Sequence, residues 1–270
     1  MKWTLLRANS GLHYQPLAIE CLQLNDNSRK ARQTTFKPRI QGALKKIIIA
    51  IDGPAASGKS TTAKALAKRL GYTYIDTGAM YRAITLKFLR SPFCDELFSD
   101  ESRLKEFLDQ TDVHLEGENV FLDCENVSHL IRSNEVSRLV SKVSALKLVR
   151  EKLAVCQRKI GEARGVVMDG RDIGTVIFPD AELKIFMTAS VKERAKRRYE
   201  ELLEKSKTGT VDITIAELEE EIAQRDKADT ERSIAPMRKA PDAITLDTSH
   251  LSIDEQVQFI YERAKRLIEA

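Results

Sequence analysis

Residues 47–61 constrain the fold of this chain more than any other stretch. They begin with an apolar, β-branched run at 47–51, which is typical of a strand buried on both faces of a sheet. They continue as Gly53-x4-Gly58-Lys59-Ser60, a spacing that gathers backbone N–H groups, a lysine and a hydroxyl around a polyphosphate. The order of strand, loop and helix therefore predicts a nucleoside triphosphate site.

Each position of this loop has a physical role. The two glycines let the backbone curl close to phosphate oxygens, and Lys59 supplies a compact positive charge for the terminal phosphates. The Ser60 hydroxyl is the predicted Mg²⁺ ligand. The helix after the loop has four apolar residues on one face, Ala63, Leu66, Ala67 and Leu70. Gly71 is the predicted end of that helix.

Composition excludes several classes of protein. No apolar run approaches the ~18 residues of a membrane-spanning helix. The four cysteines form no CxxC pair, which argues against a metal or redox motif and favours a reducing, cytoplasmic compartment. The net charge of +4 arises near the N-terminus, where residues 1–46 hold nine Lys and Arg and two acids. The remainder has 35 basic and 38 acidic residues, so we expect no nucleic-acid binding.

Residues 1–44 lack a periodic apolar pattern and contain few acids. We predict that they form a basic, disordered N-terminal extension that the folded domain does not need. An organelle transit peptide and a start assigned upstream of the natural one are the alternatives.

The rest of the chain alternates strands with helices. Further core strands are predicted at 72–76, 165–169, 183–188 and 243–247, and residues 113–123 predict a hairpin inserted into this order. Such alternation is typical of an α/β protein with a parallel sheet and helices on both faces. We therefore predict a three-layer α/β fold over residues 45–270.

Polar side chains follow the predicted strands where open α/β sheets bind ligands. Thr77 stands at a natural N-cap position after the second strand, and Arg82 lies in the early turns of the helix that follows. Asp169 ends the next strand and precedes Arg171 and Asp172. Arginines exceed what one nucleotide requires: Arg82, Arg150, Arg171, Arg194, Arg197, Arg198, Arg225 and Arg232. Planar guanidinium groups grip phosphates in pairs of hydrogen bonds, so this excess predicts two anionic substrates.

Two basic segments could close over such substrates. Arg194, Arg197 and Arg198 share one helical face, which is either a solvated stripe or a phosphate clamp. Residues 205–209 are loop-like and precede the charged run that ends at Arg232.

Four motifs in this order resemble the bacterial-type cytidylate kinases. They are the phosphate loop with its Pro54, Asp76-Thr-Gly-Ala-Met-Tyr-Arg82, Asp169-Gly-Arg-Asp-Ile-Gly-Thr-Val-Ile-Phe-Pro179 and Arg225-Asp-x-x-Asp-x-x-Arg232. The resemblance covers about residues 46–270 and includes the inserted hairpin. It implies a three-layer P-loop kinase fold with a core at 45–92 and 165–270, a substrate-binding insert at 93–164 and a lid at 204–235. Residues 1–44 have no counterpart in it, and Thr77 stands where that family often has serine.

The resemblance implies a role for each matched residue. Thr77, Arg150 and Arg232 would surround the cytosine with Asp172 nearby, and Ser141, Arg225 and Asp229 would hold the ribose. Arg82 and Arg171 would bind the acceptor phosphate. ATP would be held by Gly53, Pro54, Ala55, Ala56, Ser57, Gly58, Lys59, Ser60 and Thr61. The residues expected to carry the reaction are Lys59, Arg82, Arg171, Asp172 and Arg197.

The implied activity is Mg²⁺-dependent transfer of the ATP γ-phosphate to CMP or dCMP. A P-loop kinase for UMP or a coenzyme precursor, and a nucleotide-sensing protein without turnover, are the alternatives. The expected partners are small nucleotides, with no nucleic acid and no membrane, and the expected state is a monomer.

One further prediction follows from helical geometry. Ser141 and Arg150 are assigned to one pocket, yet nine residues at ~100° each would place them on opposite sides of a straight helix. The helical region 135–164 should therefore break between Ser144 and Leu148, although no Pro or Gly lies there to force it.

Overall fold

The computed structural model describes residues 45–206 and 209–270. The predicted N-terminal extension and part of the predicted 205–209 loop lie outside these ranges. A five-stranded parallel sheet forms the core, made of β1 (Ile48–Asp52), β2 (Thr73–Asp76), β6 (Val166–Gly170), β7 (Leu183–Thr188) and β8 (Ile244–Asp247). The strand order is β2-β6-β1-β7-β8, so the chain runs from the central strand β1 to the edge strand β2 and then crosses the sheet in the opposite direction through β6, β7 and β8.

Helices cover both faces of this sheet, as the alternation of elements predicts. The helices in chain order are α1 (Lys59–Leu70), α2 (Thr77–Arg90), α3 (Glu101–Asp109), α4 (Asn134–Ala145), α5 (Lys147–Gly161), α6 (Val191–Lys205), α7 (Ile215–Glu231) and α8 (Ile253–Glu269). Side chains of β1, α1 and α8, including Ile49, Leu66 and Ile260, pack into one fully buried cluster. Ala50, Met168 and Phe178 belong to a second cluster.

The predicted strand bounds hold within one residue, and α1 ends at Gly71 as expected, where a φ of 67° suits glycine. Thr77 is not the N-cap of α2. Asp76 takes that position, and its Oδ1 accepts the N–H of Ala79 at 2.9 Å. Asp and Thr are both favoured N-caps, and here the residue that ends β2 already has the extended backbone that an N-cap needs.

The inserted region contains more structure than the predicted hairpin. Strands β3 (Val113–Glu116) and β4 (Asn119–Leu122) pair as expected, and β5 (Glu125–Asn126) adds a third antiparallel strand. Side chains from α2, α3, the small sheet, α4 and α5 form one apolar cluster around Phe88.

The predicted break in the 135–164 region is confirmed. Leu146 separates α4 from α5 with extended backbone angles, φ −69° and ψ 128°. A single π-helical turn, Ile173–Ile177, follows β6 and was not predicted. Within the described residues, no helix has both the length and the apolar character needed to cross a membrane.

Candidate functional site

The phosphate loop leaves the central strand β1 and is shaped by close packing against β7. A Cβ on Gly53 would lie 2.0 Å from the carbonyl oxygen of Met187, so only glycine fits there. Ala56 and Gly58 have positive φ angles of 58° and 89°. The loop thus curls with its concave side at the N-terminus of α1, where backbone N–H groups and the helix dipole favour an anion.

Lys59 lies inside this loop rather than in solvent. Its Nζ donates to the carbonyl oxygen of Pro54 at 2.5 Å and to Ser57 Oγ at 3.3 Å, and the residue is 5% exposed. Burial, followed by the nearby charge of Arg171, lowers the pKa of Lys59 to about 7. Within the described residues, this ammonium donates to neutral oxygens and forms no ion pair. A bound polyphosphate would supply a negative partner in direct contact with it.

A hydroxyl and a carboxylate meet beside the loop at the position expected for a divalent cation. Ser60 Oγ donates to Asp169 Oδ2 at 2.8 Å, and the Tyr74 hydroxyl donates to Asp169 Oδ1 at 2.9 Å. Burial, and then the charge of Asp76, raise the pKa of Asp169 to about 6. These oxygen ligands fit Mg²⁺, which is usually held by few protein groups together with substrate phosphates.

No clustered three-residue metal site supplements this pair. Among the residues that the structure describes, no three His, Cys, Asp or Glu side chains are grouped closely enough to hold a metal ion. The Ser60 and Asp169 pair therefore remains the candidate position for the cation.

The predicted basic face of α6 does not form a solvated stripe. Arg194 is 3% exposed and donates to the carbonyl oxygen of Ala55 at 3.2 Å and to Asp226 Oδ2 at 2.6 Å. Arg197 donates to the carbonyl oxygen of Thr248 at 2.6 Å. The Thr248 hydroxyl in turn donates to the carbonyl oxygen of Ser57 at 2.9 Å. These contacts place Arg194 and Arg197 against the outer side of the phosphate loop.

A second group of arginines lies beyond the carboxyl end of β6, and we call it the arginine cluster. Asp172 Oδ2 accepts from Arg150 at 2.5 Å, and its Oδ1 lies 3.5 Å from Arg232 Nη2. Asp229 Oδ2 accepts from Arg171 Nε at 2.8 Å, which ties α7 to the segment after β6. The cluster consists of Arg82, Arg150, Arg171, Arg225 and Arg232 together with the carboxylates Asp172 and Asp229.

Two members of the arginine cluster, Arg82 and Arg225, form no ion pair with a carboxylate of the described residues. Arg82 Nη1 donates to Ser137 Oγ at 2.9 Å and to the carbonyl oxygen of Ile131 at 3.2 Å. Within the described ranges, the buried Nε of Arg225 has no hydrogen-bond partner. Burial is the main cause that lowers the pKa of both guanidinium groups to about 10. The positive charge of a neighbouring arginine adds to this effect: Arg225 lowers the pKa of Arg82, and Arg171 lowers that of Arg225. Such under-compensated positive charge favours an anionic ligand.

The remaining predicted residues lie on the elements around this cluster. The Thr77 hydroxyl donates to the carbonyl oxygen of Asp169 at 2.7 Å, so α2 is held against the end of β6. Ser141 is half-buried on α4, and its carbonyl oxygen accepts from Ser144 Oγ at 3.1 Å. Of the three arginines expected to carry the reaction, Arg197 lies away from the arginine cluster. Arg198, its neighbour on α6, is the one whose charge acts on Arg82 and Arg225.

Sequence reasoning missed three side chains of this region. Tyr74 supports Asp169, and the Tyr81 ring lies 5.4 Å from the guanidinium carbon of Arg150. Asp52 accepts two backbone N–H groups of the π-helical turn. The available signal was position, because Tyr74 and Asp52 stand at or near the carboxyl ends of predicted strands. Tyr81 lies within the motif that ends at Arg82, but the sequence assigned no role to it.

Comparison with known proteins identifies the family of this chain. The sequence model of the family described as "Cytidylate kinase" matches residues 49–266. The cytidylate kinase of Chloroherpeton thalassium is 65% identical over 224 residues, which are 83% of this chain and 95% of that protein. That of Chlorobaculum tepidum is 58% identical over 83% of this chain and 95% of its own length. That of Pelodictyon phaeoclathratiforme is 54% identical over 82% and 96%. By these matches, the chain belongs to the cytidylate kinase family.

Proposed function

We propose that this chain is an ATP-dependent nucleoside monophosphate kinase that phosphorylates CMP and dCMP, giving ADP with CDP or dCDP. One observation carries the proposal: the phosphate loop with its buried lysine leaves β1 opposite the end of β6, where Arg171 begins the arginine cluster, and Arg82 and Arg225 of that cluster form no ion pair with a described carboxylate. Two anion sites at one edge of a sheet suit transfer of a phosphoryl group between two nucleotides.

Residues 53–61 are the proposed donor site. Backbone N–H groups and Lys59 would bind the ATP phosphates. Thr61, the last residue of the site, lies in the first turn of α1. Ser60 would hold Mg²⁺ with Asp169 beside it, as their 2.8 Å contact supports. When bound there, Mg²⁺ would neutralise negative charge on the donor phosphates. Arg197 supports the outer wall of the loop through Thr248.

The arginine cluster is the proposed acceptor site. Arg82 and Arg171 would bind the acceptor phosphate, while Arg225 and Asp229 would face the sugar together with Ser141. Arg150, Arg232 and Thr77 would face the base, with Asp172 holding the first two in place. The hydrogen bonds among Arg150, Arg232 and Asp172 support this grouping, because they fix the orientation of both guanidinium groups before a ligand arrives.

The chain's own contribution to the reaction is positioning and charge. Arginines stay protonated at neutral pH and can stabilise negative charge as it spreads over the transferring phosphoryl group. An arginine aimed at that group is worth ~10³–10⁵ in rate.

We also infer a division of labour along the chain. The core would be residues 45–92 and 165–270, the insert 93–164 would hold the acceptor, and residues 204–235, which include α7, would act as a lid. Arg194 supports the lid assignment because it joins the donor loop to Asp226 of α7. A monomer that binds small nucleotides, with neither a nucleic acid nor a membrane as partner, suits this architecture. Free thiols at Cys94, Cys124 and Cys156 favour a reducing cytoplasm.

An ADP-release assay with a panel of nucleoside monophosphates tests the proposal. We expect CMP and dCMP to be phosphorylated well and UMP, AMP and GMP poorly. Strong preference for UMP, or a reaction with a coenzyme precursor alone, would favour a different acceptor. ATP binding without turnover of any acceptor would favour a nucleotide sensor and reject the kinase assignment.

A further inference from the structure

Asp52 makes a contact for which the reaction above gives no reason. It is the last residue of β1, and its carboxylate is 5% exposed. Its Oδ1 accepts the N–H of Ile173 at 2.8 Å, and its Oδ2 accepts the N–H of Gly174 at 2.7 Å. These N–H groups open the π-helical turn, where a helix has no internal acceptors for them. One carboxylate from β1, a strand far away in the sequence, therefore caps this turn.

The place of this contact in the chain connects the two proposed substrate sites. Gly53, which begins the donor loop, is the next residue after Asp52. Arg171 and Asp172, both in the arginine cluster, directly precede Ile173. The side chain of Asp52, the residue just before the donor loop, thus contacts the segment that carries two acceptor residues.

The carboxylate form is costly at this position, which argues that it does more than fill space. Burial raises the pKa of Asp52 to about 6, even though both backbone N–H groups act in the opposite direction. The ammonium of Lys184, whose stem passes Gly174, is directed elsewhere, to the Pro179 carbonyl and to Asp242 Oδ2.

We propose that Asp52 is a positioning residue, whose carboxylate fixes the turn after β6 against the donor loop and so sets the distance from Arg171 to the transferring phosphoryl group. The inference rests on the proposed function, because it takes Arg171 as a ligand of the acceptor phosphate. In Asp52→Asn, the amide oxygen accepts one N–H and the NH₂ faces the other. The turn must then shift, and a displacement near 1 Å can cost about 10²-fold in rate.

A double-mutant cycle with Arg171→Lys tests the inference, using the monophosphate that the wild type phosphorylates best. We expect Asp52→Asn to lower kcat/KM for the acceptor by about 10- to 100-fold while KM for ATP changes less than about 2-fold. In the Arg171→Lys background, the same change should cost no more than about 3-fold, because Asp52 acts through Arg171. Asp242→Asn is the matched control: it removes a nearby carboxylate that does not touch the turn and should leave both constants unchanged.

Other outcomes overturn the inference. If Asp52 only stabilises the fold, its loss lowers the active fraction in every background, and the two effects multiply. Unchanged acceptor kinetics in Asp52→Asn would reject the inference directly. If this variant lacks a cooperative unfolding transition, Gly174→Ala replaces it in the cycle and is judged by the same criteria. The new Cβ would lie 3.4 Å from Asp52 Oδ2 and 3.2 Å from Lys184 Cδ, which crowds the contact between Asp52 and the turn.

Wild-type activity separates this inference from the proposed function. A preferred acceptor other than CMP or dCMP would overturn the cytidine assignment and leave the cycle valid. Failure of the wild type to phosphorylate any monophosphate would overturn both.

Discussion

Arg150 reaches back across the break between α4 and α5 and donates from Nη1 to the main-chain oxygen of Ser144 at 3.0 Å. Its Nη2 donates to Asp172 at 2.5 Å. One guanidinium group therefore occupies an otherwise free carbonyl at the end of α4 and holds a carboxylate of the arginine cluster. The break is what lets Arg150, near the start of α5, point into the site.

Arg150→Lys tests whether the two directed hydrogen bonds of Arg150, and not only its positive charge, are needed for acceptor binding. Lysine keeps the positive charge but cannot direct two fixed N–H groups at Ser144 and Asp172. We expect KM for CMP to rise by at least about 10-fold with little change in KM for ATP, since a charge-assisted hydrogen bond is worth ~1.5–3 kcal/mol. Arg164→Lys is the control, because Arg164 also donates to a main-chain oxygen, that of Lys46, and pairs with a carboxylate, that of Glu182, but lies outside the cluster. Equal effects of the two changes would reject the assignment of Arg150 to the acceptor site.

The break shows what a sequence can and cannot reveal about this fold. No Pro or Gly lies between Ser144 and Leu148, so local propensity favours a continuous helix. Leu146 and Leu148 pack against the apolar cluster of the insert, and this tertiary packing accompanies the extended residue between the helices. The prediction succeeded only because two residues nine positions apart were required in one pocket.

Elements with strong periodic patterns were predictable, whereas contacts between distant segments were not. The β1–loop–α1 unit and the other core strands follow from apolar runs and glycine positions alone. The third strand β5 has two exposed polar residues and no apolar pattern to reveal it. The Asp52 contact joins residues 121 positions apart, and the π-helical turn it caps has no distinct composition. The resemblance, not periodicity, suggested roles for Ser141 and Asp229.

Lys59→Met should nearly abolish turnover while acceptor binding persists. Among the residues that the structure describes, the Lys59 ammonium donates only to oxygens of the donor loop. Its removal should lower kcat by at least about 10²-fold, a typical loss for a charge-stabilising donor. Calorimetric titration should give a CMP dissociation constant within about 3-fold of the wild type. Lys64→Met is a control on the same helix, because Lys64 is exposed and pairs with Glu118. A parallel collapse of CMP affinity in Lys59→Met would contradict the separation of donor and acceptor sites.

The same variant should alter the pH dependence of stability in the nucleotide-free protein. The pKa of Lys59 falls from 10.5 to about 7 on folding, so below pH 7 the fold bears the full cost of a buried charge. That cost disappears as the pH rises towards 10.5, where the lysine is neutral in both states. Lys59→Met should therefore raise the melting temperature by at least about 3 °C at pH 6 and by less at pH 10. A gain that grows with pH would contradict the lowered pKa.

Removal of residues 1–43 should leave activity and stability nearly unchanged. The core strands and both proposed sites lie within residues 47–270, and the family match begins at residue 49. We expect kcat/KM within about 2-fold and a melting temperature within about 2 °C of the full chain. Assays and thermal unfolding of both forms provide the measurement. A large loss of either property would mean that this segment contributes to the folded domain or to its substrate site.

Asp229→Ala should impair CMP more than dCMP. Although burial alone would raise it, the pKa of Asp229 lies below its ordinary value because of Arg171, so the carboxylate is charged and can accept from a ribose hydroxyl. Its 2.8 Å contact with Arg171 means that its loss also slows the reaction with both substrates, so the informative quantity is their ratio. We expect the ratio of kcat/KM for CMP to that for dCMP to fall by about 10-fold or more. Asp226→Ala is the matched control. Asp226 lies on α7, as Asp229 does, but it pairs with Arg194, so its loss should lower the rates with CMP and dCMP alike. An unchanged ratio in Asp229→Ala would exclude this carboxylate from sugar recognition and leave it only the role of orienting Arg171.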